Sequence, residues 1–165
     1  MAIVDKLSNG SGIGRWISIL YRHGQSYISK KLEPYNIGSG QYIFLVVLYR
    51  KDGISQEELS NHLKMDKATV AKALKKLADA GYIQRETDAA DKRAYQVFLT
   101  PKALAIRPAV QEAIQGWEQI LTGGLSGDEI GLLRQLLEKM AKNACQKNKK
   151  PEPELKKIDN ENELT

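Results

Sequence analysis

The apolar positions of this chain fall into short, separately capped segments rather than long continuous runs. Between Gly14 and Leu32, the residues Trp16, Ile17, Ile19, Leu20, Tyr27 and Ile28 recur at helical spacings, and Pro34 closes the segment. A first helix of about five turns is expected there. The next segment, Tyr42-Ile43-Phe44-Leu45-Val46-Val47-Leu48, is apolar nearly all round. Taken alone it reads equally as a buried strand, because it is rich in β-branched and aromatic residues. Its place between two helical segments, with Ser39 as a cap and Asp52-Gly53 as a stop, favours a second helix from Gly40 to about Lys51.

Two short helices then follow in quick succession. Ser55-Gln56-Glu57-Glu58 has the form of a capping box, in which hydroxyl and carboxylate each satisfy an orphan amide at a helix start. Leu59 and Leu63 lie one turn apart on the inner face of this third helix. Asp66 is suited to cap a fourth, from Lys67 to Ala80, and Gly81 to end it. The pair makes a helix-turn-helix outline. Tyr82 to Thr87 and Tyr95 to Leu99 are strand-like and flank the loop Asp88 to Ala94. In the second strand, alternation places Tyr95, Val97 and Leu99 on one face. A two-stranded wing is therefore expected.

A fifth helix is expected from Pro101 to about Leu121, kinked or broken at Pro108. Gly123-Gly124 then turns the chain. Ser126 to Glu129 repeats the capping box, opening a sixth helix with an apolar stripe of Ile130, Leu133, Leu136, Leu137 and Met140. The expected fold is mainly α with a small β wing, in the order α-α-α-α-β-β-α-α. A single domain is expected over residues 1–145, with the winged helix-turn-helix at about 39–100 and its helix-turn-helix at 55–80. Residues 146–165 hold two prolines and ten charges against three large aliphatics, and read as a flexible charged tail.

Composition changes this picture little. The formal charge of +5 and pI near 9.2 suit a polyanionic partner without locating it, since residues 55–99 carry eight Lys/Arg against seven Asp/Glu. The arrangement of side chains is more informative. On a helical wheel, Val70, Ala73, Leu74 and Leu77 form the inward arc of the fourth helix. Ala68, Lys72, Lys75 and Asp79 lie opposite, flanked by Thr69, Ala71 and Lys76. Lysines separated by small residues occur on any solvated helix; here they follow a capped helix and a tight turn and precede a wing, the arrangement that sets one helix in the major groove. Its N-terminal half then places Lys67, Ala68, Thr69 and Lys72 near bases, with Lys75 and Lys76 on phosphate. Ser55 and Gln56, at the start of the preceding helix, join this contact set. In the wing loop, Asp91 can brace Arg93, while Lys92 and Arg93 reach phosphate or a minor groove.

Other chemistries find little purchase. The chain has no nucleophile elbow, phosphate loop, paired-carboxylate motif or dinucleotide fingerprint, so no enzymatic activity and no cofactor is expected. His23, His62 and Cys145 lie on three separate expected helices without metal-ligand spacing, so no metal site is expected. A lone cysteine cannot form an internal disulfide, no apolar run is long enough to span a membrane, and residues 1–14 lack a signal-peptide core. A cytoplasmic protein without membrane contact is expected.

Several motifs together resemble the multiple-antibiotic-resistance regulator (MarR) family of winged-helix transcription factors. They are Leu32-Glu33-Pro34 and Ile37 before Gln41, Ser55-Gln56-Glu57-Glu58-Leu59, Asp66-Lys67-Ala68-Thr69-Val70, Leu77 with Gly81, Asp91-Lys92-Arg93, Leu99-Thr100, and Leu125-Ser126. The resemblance implies a homodimeric regulator, most simply a repressor, whose two winged lobes read a near-palindromic DNA operator. The helices at about 14–32 and 101–145 would form the dimerisation lobe, and Asp91 and Arg93 match the family's wing motif. It also implies release by a small phenolic or aromatic carboxylate between the DNA and dimer lobes. Arg15, Trp16, Tyr21, Arg22, His23 and Tyr42 supply suitable groups, although Trp16 and the tyrosines equally suit an interface core. The family's redox sensors are similar to proteins with an N-terminal cysteine, which this chain lacks. The alternative function is a winged-helix module for protein contacts without specific DNA binding.

Overall fold

The computed structural model describes residues 12–87 and 95–147. The expected helices form, with differences that have local causes. Helix α1 spans Ile13–Leu32 and is followed by a 3-10 turn, Glu33–Tyr35, carrying Pro34 in its first turn. The ambiguous apolar run is a helix, α2, Tyr42–Leu48, with Phe44, Leu45, Val47 and Leu48 buried. It is shorter than expected at both ends, and Ser39 does not cap it. Gln41 occupies the cap position without a side-chain cap; its Oε1 instead accepts from the Gly38 amide at 2.7 Å.

A short strand absent from the sequence reading, β1 (Ile54–Ser55), leads into α3 (Gln56–Leu63). Lys64, in the left-handed conformation at φ 54°, turns the chain towards α4, Lys67–Asp79. Ser60 Oγ donates to the Met65 carbonyl at 2.6 Å and holds this turn closed. After α4 come β2 (Ile83–Thr87) and β3 (Tyr95–Leu99). The sheet order is β1-β3-β2, both pairings antiparallel, with Ile54 and Arg85 both opposite Val97. Two residues are too few for periodicity to register, so β1 could not be read from the sequence. The expected alternation in β3 is only partly realised: Val97 is fully buried, Tyr95 is exposed, and Phe98 packs over Gly53.

The expected fifth helix is two helices, α5 (Pro101–Ala105) and α6 (Arg107–Thr122). They break at Ile106, because Pro108 has no amide to donate backwards and sits instead in the first turn of a new helix. Helix α7, Gly127–Lys147, begins with the expected box: Ser126 N–H donates to Glu129 Oε2 at 2.7 Å, and Glu129 N–H to Ser126 Oγ at 3.3 Å.

The chain forms two compact units, one through Gly123 and one from Gly124. In the first, a single core joins Ile28 and Leu32 of α1, Phe44, Leu45 and Leu48 of α2, Leu59 of α3, Val70, Leu74 and Leu77 of α4, Val97 of β3, and Val110 and Ala113 of α6. Helices α1 and α6 pack where Gly24 meets the Trp117 indole, leaving a Cβ at position 24 only 3.0 Å from the ring. In the second unit, Leu132, Leu133, Leu136 and Leu137 of α7 stand exposed.

Candidate nucleic-acid interface

The first element of the site is the start of α3. Ser55 ends β1 and caps the helix: Glu58 N–H donates to Ser55 Oγ at 3.1 Å, and Ser55 N–H donates to Glu58 Oε2 at 2.8 Å. Glu58 also accepts from Lys51 Nζ at 3.0 Å. The Ser55 amide, then Lys51, hold the Glu58 carboxyl below its ordinary range. Gln56 is half-buried at the first helical position.

Asp66 performs the same task for α4. Its Oδ1 accepts from the Thr69 amide at 2.8 Å and its Oδ2 from the Thr69 hydroxyl at 2.6 Å; the hydroxyl, then the amide, lower the Asp66 pKa. Thr69 is thereby held in place and keeps a methyl group and hydroxyl lone pairs to offer a partner. The inward arc is as expected, with Val70, Ala73, Leu74 and Leu77 all buried. Lys67, Ala68, Thr69, Lys72, Lys75 and Lys76 are all exposed.

The lysines differ in their surroundings. Lys67 pairs with Glu57 at 3.0 Å and Lys75 with Asp79 at 2.9 Å, both in solvent. Such surface pairs contribute about 0–1 kcal/mol and exchange readily for a stronger anion. Lys72 and Lys76 have no acidic partner among the described residues. The bare cationic charge of α4 thus lies on the side shared by Lys72 and Lys76, a division that spacing alone does not reveal.

The C-terminal end of α4 is bound into its surroundings. Gly81, at φ 76°, ends the helix, and Thr100 Oγ1 donates to its carbonyl at 2.7 Å. Lys102 Nζ donates to the Ala80 carbonyl at 2.7 Å and lies 4.5 Å from the centre of the Tyr82 ring. Of the sequence-derived wing residues, Asp91, Lys92 and Arg93 lie outside the described residues.

The effector candidates are dispersed. Arg15, Trp16, Tyr21, Arg22 and His23 are exposed along α1, and Arg22 donates to Ser18 Oγ at 2.5 Å. Tyr42 is half-buried on α2; burial, then the neighbouring Tyr21, raises its pKa. Among the described residues, clefts of about 220 to 420 Å³ are lined by other side chains. The sequence reading overlooked the loop of residues 38–41 beside α4, taking it for a simple helix cap. There Ser39 N–H donates to Ser29 Oγ at 3.2 Å, a bond between residues ten apart that no local pattern announces.

Comparison with known proteins follows the same outline. Residues 35–94 match the model of the MarR family. The chain is 30% identical over 129 residues to YybA of Bacillus subtilis (strain 168), described as an uncharacterised HTH-type transcriptional regulator, covering 78% of this chain and 86% of that protein. It is similar to a MarR transcriptional regulator from Methanosarcina mazei Go1, with a TM-score of 0.76 and 47% identity over 81% of this chain and 96% of that one. It is also similar to a protein described as a putative MarR family regulator from Listeria monocytogenes, solved with a 26mer DNA. There the TM-score is 0.78 and the identity 27%, over 84% of this chain and 92% of that one.

Proposed function

This chain belongs to the MarR family, and on that premise we propose that it is a homodimeric, sequence-specific DNA-binding regulator, most simply a repressor, acting in the cytoplasm and without catalytic activity. The observation that carries the reading is the construction of α4. A buried stripe fixes the helix, a doubly bonded Asp66 fixes its start, and its outer face presents small residues and lysines. The N-terminal half, Lys67, Ala68 and Thr69, approaches base edges in the major groove, with Lys72 beside them. Lys75 and Lys76 meet phosphate, and Ser55 and Gln56 meet backbone at the start of α3. Lys92 and Arg93, in the segment between β2 and β3, extend the contact to phosphate or a minor groove.

The exposed apolar stripe Ile13, Trp16, Ile17 and Leu20 on α1, and Leu133, Leu136 and Leu137 on α7, supply dimer contacts, since contiguous apolar surface marks an interaction site. A small phenolic or aromatic carboxylate acts as releasing effector, drawing on Arg15, Trp16, Tyr21, Arg22, His23 and Tyr42. Loss of operator binding on adding salicylate-like compounds supports that part, and unchanged affinity across a broad aromatic panel overturns it. Salt titration of duplex binding, together with sedimentation, tests the whole. A dimer whose DNA affinity falls steeply with salt is expected, whereas absent or salt-insensitive binding favours a protein-contact module.

A further inference from the structure

A cleft of about 360 Å³ lies between α4 and the loop joining α1 to α2, lined on one side by Thr69, Lys72 and Lys76 and on the other by Ser29, Ser39 and Gln41. Its chemistry is one-sided. Two ammonium groups and three hydroxyls border it, and no carboxylate is among its lining residues. Lys72 and Lys76 are the two α4 lysines without an acidic partner among the described residues, whereas Lys67 and Lys75, outside the cleft, are each paired. Like charges one helical turn apart repel by a few tenths of a kcal/mol, a cost that an anion held between them removes. The loop wall is itself held in shape, by Ser39 N–H on Ser29 Oγ and Gly38 N–H on Gln41 Oε1.

The geometry points to a phosphate seat: the cleft takes one phosphodiester of the DNA backbone bordering the groove that α4 enters, gripped from α4 by Lys72 and Lys76 and from the loop by Ser39. Ammonium and hydroxyl donors are the groups with which proteins position phosphate. The inference rests on the DNA-binding reading and sharpens it in two ways. Lys72 moves from the base-reading set to the backbone-positioning set, and the footprint extends off α4 to the end of α1, where Ser29 supports the loop. A phosphate held there contacts at once the helix that reads DNA and the loop that follows α1.

The test uses the full chain and a panel of mixed-sequence and selected duplexes. Lys72→Gln/Lys76→Gln, both at exposed positions, should weaken binding to every duplex alike and flatten the plot of log affinity against log salt by about one unit per bound protomer. Ser39→Glu, which leaves α4 untouched and sets a carboxylate in the opposite wall, should weaken all duplexes tenfold or more with thermal unfolding unchanged. A lysine double variant that shifts preference at particular base pairs while keeping the wild-type slope, or Ser39→Glu binding like wild type, would overturn the seat. Inorganic phosphate supplies the other arm. If it stabilises the wild type but not the double variant, and the DNA slope is unaltered, the cleft holds a free anion and the backbone assignment fails. Wild type that binds no duplex sinks the regulator reading itself, and the seat with it.

Discussion

The Tyr82 hydroxyl donates to the Tyr35 carbonyl at 2.6 Å, joining the residue just after α4 to the turn that ends α1 across 47 positions of sequence. Tyr82 is 1% exposed, and burial raises its pKa. The bond therefore ties the end of α4 to the turn after α1 through a buried side chain. Tyr82→Phe keeps the ring and leaves that carbonyl without its donor. It should cost about 1 kcal/mol of stability, seen as a lower urea midpoint with an unchanged slope.

Gly53 should tolerate no side chain. Its φ is 70°, and a Cβ there would lie 2.7 Å from the Phe98 ring. The left-handed conformation alone costs an L-residue about 1–2 kcal/mol, and the half-buried Phe98 ring must shift to admit the methyl. Gly53→Ala should lower stability by about 2 kcal/mol or more. Adding Phe98→Ala should relieve the clash, so that a double-mutant cycle shows strong positive coupling; simple additivity would contradict the packing described.

Alkaline stability should report Tyr49. Its hydroxyl donates to the Ala103 carbonyl at 2.7 Å, and burial, opposed in part by Arg107, pushes its pKa up to about 12. Because the folded value lies above the unfolded one of about 10, the unfolded chain ionises first. The stabilising contribution is complete below pH 10 and is lost as pH rises from 10 towards 12. Tyr49→Phe should flatten that fall in melting temperature. The helix-start carboxylates Glu58, Asp66 and Glu129 are shifted the other way, so their contribution is present above the ordinary carboxylate range and is lost only as pH falls below it.

The outline of the candidate site is legible in the sequence because it depends on local chemistry. Ser55 with Glu58, Asp66 with Thr69 and the stripe Val70, Ala73, Leu74 and Leu77 all act within one or two helical turns, so spacing reveals them. What was not legible depends on contacts between distant segments. The two-residue β1 exists because Ile54 finds Val97, and the loop at Ser39 is shaped by Ser29 rather than by a cap on α2. The partition of the α4 lysines also waited for the structure. Glu57, which pairs with Lys67, lies on the preceding helix, ten residues away in sequence.

Base-reading and backbone contacts should separate in mutants. Thr69→Ala removes the hydroxyl that Asp66 fixes and should change preference at particular base pairs by about 1–3 kcal/mol. Arg93→Ala, between β2 and β3 in sequence, should weaken all duplexes roughly equally and flatten the salt slope by about one unit. If both variants bound a selected duplex like wild type across the salt range, the assigned face would be wrong.

The most direct measurement is selection of bound duplexes from a random library at physiological salt, followed by affinity measurements on the enriched sequence. The account predicts enrichment of a near-palindrome, with half-sites about one helical turn apart centre to centre. It also predicts an affinity at least about a thousandfold above that for unselected DNA. Recovery of no common sequence, or of one bound no more tightly than random duplex, would contradict it.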